Sequence, residues 1–242
     1  MPRNVEDLEK LWDASARAHS HNRVLAIHFT EDGKPVDASI YQEIFDQIDR
    51  LVQFTPQDRI LEVGAGSGLL LEQMAQKVHE AHGTDLSAEM LKLVPPRKNI
   101  FLQRMDSDRL QFTDSSFDKV ICNAVFQCFP NAAYAERCLK EMIRVCKTGG
   151  MIYVGDIFNA YLKEPYLQQF TQPPSLIERL KRPIRKLLGK QDQNYDSLFL
   201  YPYELEDWAR SAQCHDFKAL LSLSRKKPVL FRMYRFDVLI VK

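Results

Sequence analysis

The chain has no Cys-x-x-Cys pair, no run approaching the roughly 18 apolar residues needed to cross a bilayer, and almost no net charge. Its five cysteines, Cys122, Cys128, Cys138, Cys146 and Cys214, are an odd set. That spacing argues against a zinc knuckle or a disulfide framework and for reduced thiols used as small apolar fillers. Lysine and arginine number 33 against 32 aspartates and glutamates, a formal net charge of +1. No global field therefore draws in nucleic acid or an anionic membrane, and either partner would need a local patch. Residues Met1 to Leu8 lack the apolar centre of a signal peptide. The expectation is a soluble, cytoplasmic protein. Repeats and low-complexity tracts are also lacking.

What is present is enough for one large domain: 242 residues, 45% hydrophobic and 27% charged. Residues 5–55 carry helical periodicity, with Leu8, Leu11 and Trp12 on one face and Ile40, Ile44, Ile48 and Leu51 on another, separated by a loop at Thr30–Pro35. From Ile60 strands and helices alternate. The pattern predicts strands at 60–63, near 84, at 100–103, 119–123 and 151–155, and helices at 69–78, 88–94 and 132–146. Such alternation is the signature of a doubly wound parallel sheet. It breaks at residue 158; a clean helix resumes at Pro202, and strands are expected at 218–224 and 235–241. The resulting division is a helical cap (1–57), a core (58–157), a lid or insertion (158–200) and a C-terminal helix with strands (201–242).

The most informative segment is the apolar run Ile60–Val63, interrupted by Glu62 and followed by Gly64, Gly66 and Gly68. Glycines there let a ligand approach the backbone and leave amide N–H groups free at the next helix's start, although a tight turn can use glycine for sterics alone. Asp85 falls at the tip of the next strand, where a carboxylate accepts hydrogen bonds from a ribose diol; a solvated loop acid is the alternative. The third strand ends in Met105-Asp106-Ser107, placing Asp106 at the same edge to receive an exocyclic amine or to cap a turn. A dinucleotide site is the nearest competitor, but its pattern requires glycine at position 69, which is Leu.

These segments, with Thr84-Asp85-Leu86-Ser87-x-x-Met90-Leu91, Ser116-Phe117-Asp118-Lys119-Val120 and Leu139-x-Glu141-x-x-Arg144-Val145-x-Lys147-x-Gly149-Gly150, resemble the class I S-adenosylmethionine-dependent methyltransferases over residues 58–157. The resemblance implies a Rossmann-like, mostly parallel sheet of seven strands with the last antiparallel. It implies S-adenosyl-L-methionine as cofactor and S-adenosyl-L-homocysteine as product. By the same resemblance the Gly64–Gly68 loop, with Ala65, lies under the methionine part and Glu62 orients its amino acid moiety. Asp85 binds the ribose hydroxyls, Leu86 and Met90 line the adenine pocket, Asp106 between Met105 and Ser107 meets the adenine amine, and Asn123 is a further cofactor-binding residue.

Methyl transfer is an in-line displacement, so catalysis consists largely of positioning; a hydroxyl acceptor also needs proton removal, an amine only neutrality. After the fourth strand, Asn123 and Gln127 are placed near the methyl group, and Gln127 stands where many relatives have a histidine. The loop lacks the Asn-Pro-Pro-aromatic or Asp-Pro-Pro-aromatic sequence associated with nucleobase or glutamine amide methylation, so no nucleic-acid partner is expected. His19 and His21 are the candidate general bases, with Asp156 beyond the fifth strand as the other candidate or else a cap. His79 and His82 have metal-like spacing but belong to the wrong side of the sheet, so no metal is expected.

Aromatic residues Tyr161, Tyr166, Phe170, Tyr195, Phe199, Tyr201 and Tyr203 suit a ring or sugar acceptor, or plain packing. The basic stretch 176–190 reads as an amphipathic lid helix kinked at Pro183, or as a contact for a membrane or an anionic or lipid-linked acceptor. The sequence points to methylation of a small-molecule hydroxyl on a glycan-related or secondary-metabolite acceptor. Methylation of a small amine, or a catalytically silent cofactor-binding partner subunit, is the alternative.

Overall fold

The computed structural model describes residues 4–31, 34–37, 39–168, 197–221 and 234–242. The N-terminal segment folds as α1 (Val5–Ala18) and α2 (Arg23–Ala26), a short pair β1 (Thr30–Glu31) and β2 (Lys34–Pro35), and α3 (Ser39–Val52). Asparagines start the first two helices: the Asn4 side chain accepts from the Asp7 N–H, and Asn22 from Val24 and Leu25. The expected 30–35 loop is instead an antiparallel pair with Thr30 opposite Pro35.

The core follows as β3 (Arg59–Val63), α4 (Leu69–Met74), β4 (Glu80–Asp85), α5 (Ala88–Leu91), β5 (Ile100–Arg104), β6 (Phe117–Asn123), α6 (Ala132–Val145) and β7 (Cys146–Asn159). After it come α7 (Lys163–Gln168), β8 (Phe199–Leu200), α8 (Pro202–Ser211), β9 (Asp216–Leu221) and β10 (Arg235–Val241). The strand order is β5-β4-β3-β6-β7-β10-β9, with β8 paired in parallel to β7 at its end. The chain's last strand, β10, runs antiparallel to both β7 and β9; β3 to β7 pair in parallel. This is the expected Rossmann-like sheet.

Both faces of that sheet are covered. Leu61, Val63, Val120, Cys122 and Val154 pack with Leu139 and Met142 of α6 and Leu205 of α8. Ile60, Ile121 and Tyr153 pack with Ile44 and Ile48 of α3 and Leu71 and Met74 of α4. Successive residues of β3 therefore bury on opposite faces, which is why the strand reads as a continuous apolar run. All five cysteines are free, and four are buried.

Several boundaries differ from expectation. Helix α4 ends at Met74 rather than near residue 78, because Asn99 donates to the Ala75 and Val78 carbonyls and ends the helical ladder. Helix α5 ends at Leu91 rather than at 94. Strand β7 is longer than 151–155: it pairs with β6 from Cys146 and with β10 as far as Phe158, so it takes the first two residues of the expected lid. Strand β9 starts at Asp216, two residues early. Lid residues 169–196, which include Phe170, Tyr195 and the basic stretch 176–190, lie outside the described residues. Among the described residues no helix is long and apolar enough to cross a membrane.

Candidate active site

In an open parallel sheet, ligands bind beyond the carboxyl ends of the strands where the order reverses. Here that place is the end of β3, flanked by β4 and β6. Gly64 leaves β3 at φ +74°, and a Cβ on it would lie 2.5 Å from Val125 Cγ2. Gly66, at φ +53°, donates its N–H to Asp85 Oδ2 (2.8 Å), while the Ser87 N–H donates to Asp85 Oδ1 (2.8 Å). The acid at the tip of β4 thus fixes the glycine loop from beside it. Burial, opposed by those N–H groups, pushes Asp85 up to about 6.

Glu62 is buried, its Oε2 has no hydrogen-bond partner among the described residues, and burial followed by the nearby Asp85 charge holds its carboxyl well above the usual range. An unpartnered acidic oxygen under a glycine loop fits a group that brings an ammonium donor, as the methionine part of S-adenosylmethionine does. Asp106, at the end of β5, accepts from the Tyr134 hydroxyl and from the Asp108 N–H. Its chain neighbours Met105 and Ser107 are buried; Met90 is buried against Ala16 and Ala26 of the N-terminal helices, and Leu86 is half-buried. Asn123 ends β6 opposite Gly155.

The N-terminal helices close over this loop. Arg23 donates to the Ser67 carbonyl (2.9 Å), the Ser67 hydroxyl donates to the Arg23 carbonyl (3.0 Å), and Arg23 pairs with Glu72 at 2.8 Å. Ile27 Cγ2 lies 3.1 Å from where a Cβ on Gly66 would be. Asp13 of α1 accepts from the Ser87 hydroxyl at 2.6 Å. His19 caps α1, with its ring 6.4 Å from that of His21. Among the described residues neither imidazole makes a hydrogen bond. His28 instead pairs with Ser15 at 2.7 Å.

Gln127 lies in the 3-10 turn Phe126–Cys128, with Oε1 buried and unpartnered among the described residues. Asp156 does not stand as a free carboxylate: Oδ2 is paired with Arg235 of β10, and its N–H donates to Asp237 Oδ1 (2.8 Å). One of its two carboxylate oxygens is thus already committed to a strand partner, which weighs against Asp156 as the base. Away from this edge, His82 packs against Phe101, Phe112 and Phe117 and hydrogen-bonds Glu80 at 3.2 Å, a packing role.

Val125, Ile27, Arg23, Asp13, Tyr134 and Arg235 were not singled out from the sequence. Only Arg235 had a local signal: Arg235 and Asp237 share one face of an otherwise apolar strand.

The sheet order, the glycine loop and the acids at the tips of β4 and β5 are similar to those of class I S-adenosylmethionine-dependent methyltransferase domains. Residues 61–154 match the methyltransferase domain family. The chain is 34% identical over 127 residues to chondramide synthase cmdD of Chondromyces crocatus, covering 49% of this chain and 3% of that protein. It is 33% identical over 154 residues to demethylmenaquinone methyltransferase of Renibacterium salmoninarum, covering 63% and 61%. The chain therefore spans less than two thirds of the length of these curated relatives. Magnesium protoporphyrin IX methyltransferase from Synechocystis PCC 6803, solved with bound S-adenosylhomocysteine, shares the fold at TM-score 0.64 and 11% identity, covering 99% of this chain and 100% of that one.

Proposed function

We propose that the protein transfers a methyl group from S-adenosylmethionine to a small molecule, at a hydroxyl oxygen of a glycan-related or secondary-metabolite acceptor. The observation that carries the donor assignment is the unpartnered, buried Glu62 Oε2 beneath a glycine loop pinned by Asp85. When bound, S-adenosylmethionine supplies an electrophilic methyl carbon. Glu62 would hold the ammonium group, Asp85 the ribose hydroxyls and Asp106 the adenine amine, while Leu86 and Met90 flank the ring.

On the acceptor side, Gln127 is an uncharged amide, Asp156 is paired with Arg235, and the Cys128 thiol is pushed up to about 12, chiefly by burial. None of these removes a hydroxyl proton, which leaves His19 and His21 as the bases of this reading. The same lack of a base favours a second reading, methylation of a small amine that arrives neutral.

Calorimetric titration with S-adenosylmethionine tests the donor half: no binding would overturn it. For the base, His19→Ala or His21→Ala is expected to lower turnover by about 100-fold or more with cofactor affinity unchanged. Unchanged turnover in both variants would remove them and leave the amine reading.

A further inference from the structure

Three buried polar atoms at the carboxyl edge of the sheet have no hydrogen-bond partner among the described residues: Asp156 Oδ1, Arg235 Nε and Gln127 Oε1. Buried polar atoms are normally paired, so three orphans in one neighbourhood call for a ligand. They come from different segments that the fold brings together. Between β7 and β10 the register shifts, with Phe236 opposite Ile157 but Val238 opposite Val154, so Gly155 and Asp156 together oppose Asp237. This is a bulge, and Asp156 occupies it at φ +64°, a left-handed conformation. Bulges beside active sites re-aim side chains, and here the bulged residue is held by Arg235 and by the Asp237 carboxylate.

The turn carrying Gln127 is tied to the same place. The Ala124 N–H donates to the Gly155 carbonyl (3.0 Å), and the Leu198 N–H to the Gln127 carbonyl (3.0 Å), next to Phe199, which pairs with Phe158. Asn123, at the tip of β6 next to β3 and its glycine loop, lies opposite Gly155, the residue before Asp156, which puts the cluster beside the donor site. An aromatic floor adjoins it. The Arg235 guanidinium lies 4.4 Å from the Phe158 ring centre, and the rings of Phe158, Tyr166 and Phe199 are 4.8 to 5.5 Å apart.

The orphans offer two acceptors and one donor, so their complement carries two donors and one acceptor. A carboxylate or phosphate lacks the donors, and an ammonium lacks the acceptor. We propose that Asp156, Arg235 and Gln127 form the acceptor-recognition subsite, specific for a ring bearing two adjacent hydroxyls. One hydroxyl donates to Asp156 Oδ1 and accepts from Arg235 Nε, and its neighbour donates to Gln127 Oε1. The Asp156–Arg235 pair then binds and orients the acceptor and takes no proton. This rests on the small-molecule methyl-transfer reading above.

The test is an NMR titration of the full chain, saturated with S-adenosylhomocysteine, with catechol, phenol and benzamide. Wild type is expected to bind catechol about tenfold or more tightly than phenol, the discrimination of one good hydrogen bond. Gln127→Leu, which leaves the ion pair intact, and Asp156→Asn are each expected to bring catechol to the phenol level while calorimetric affinity for S-adenosylhomocysteine stays unchanged. Equal binding of catechol and phenol by wild type, tighter binding of benzamide, or a catechol preference that survives in Gln127→Leu would overturn the subsite alone. Failure of wild type to bind S-adenosylhomocysteine would instead overturn the methyltransferase reading and, with it, this one.

Discussion

The two halves of the site solve the same problem differently. On the cofactor side, Asp85 is satisfied by backbone N–H groups of Gly66 and Ser87, within one strand-turn-helix neighbourhood. On the acceptor side, one oxygen of Asp156 is held by Arg235 and its backbone N–H by the Asp237 carboxylate, about eighty residues further along the chain. Backbone donors neutralise a carboxylate without a counter-charge and leave it free to exchange partners with a ligand. A buried ion pair fixes geometry, but each member depends on the other. The first half is held together by local backbone donors, the second by a pair of charges from distant strands.

The comparison is most exposed at Arg235. Arg235→Ala leaves a buried carboxylate without its cation and is expected to cost about 3–5 kcal/mol of stability in urea unfolding; a loss under about 1 kcal/mol would mean that the pair is solvated and the contrast false. Next in size, Asp85→Ala removes the anchor of Gly66 and Ser87 and, on the proposed reading, the acceptor of the ribose hydroxyls. It is expected to weaken S-adenosylmethionine binding by about 100-fold in calorimetry, with a much smaller loss of stability than Arg235→Ala. Gly64→Ala forces a side chain into a left-handed backbone and against Val125, for an expected cost of about 2 kcal/mol by the same unfolding measurement.

The smallest effect is the pH response. With Asp85 near 6 in the free protein, binding below that value must release a proton, so cofactor affinity is expected to fall by about tenfold per pH unit there and to level off above about pH 7. For stability the sign is opposite. A carboxyl raised above its unfolded value stabilises the cofactor-free fold below about pH 4, and that contribution is lost as pH rises through about 6. Affinity independent of pH between about 5 and 7 would show that Asp85 is already ionised.

The cofactor half was legible because its chemistry is contiguous: a strand, a glycine turn and a helix in ten residues, then a lone acid at the next strand tip. The sheet was legible for a related reason, since strands buried on both faces read as apolar runs. What the sequence hid was set by tertiary contact. Helix α4 is shortened by Asn99, a residue beyond the next strand. Tyr134 reads as an ordinary core residue of α6 until the fold brings its hydroxyl to Asp106. Asp156 looked like a free acid at the catalytic edge because Arg235 is distant in sequence. The base assigned to His19 and His21 rests on position alone, since the helical cap carries no motif of its own.

The reciprocal bonds between Arg23 and Ser67 have a consequence for handling the protein. Because one clasp joins the N-terminal helices to the nucleoside loop, whatever steadies the loop also steadies the helices, by an equal coupling in each direction. Protease sensitivity in the first thirty residues would therefore serve as a gauge of ligand occupancy: trimming there should slow when the nucleoside seat is filled.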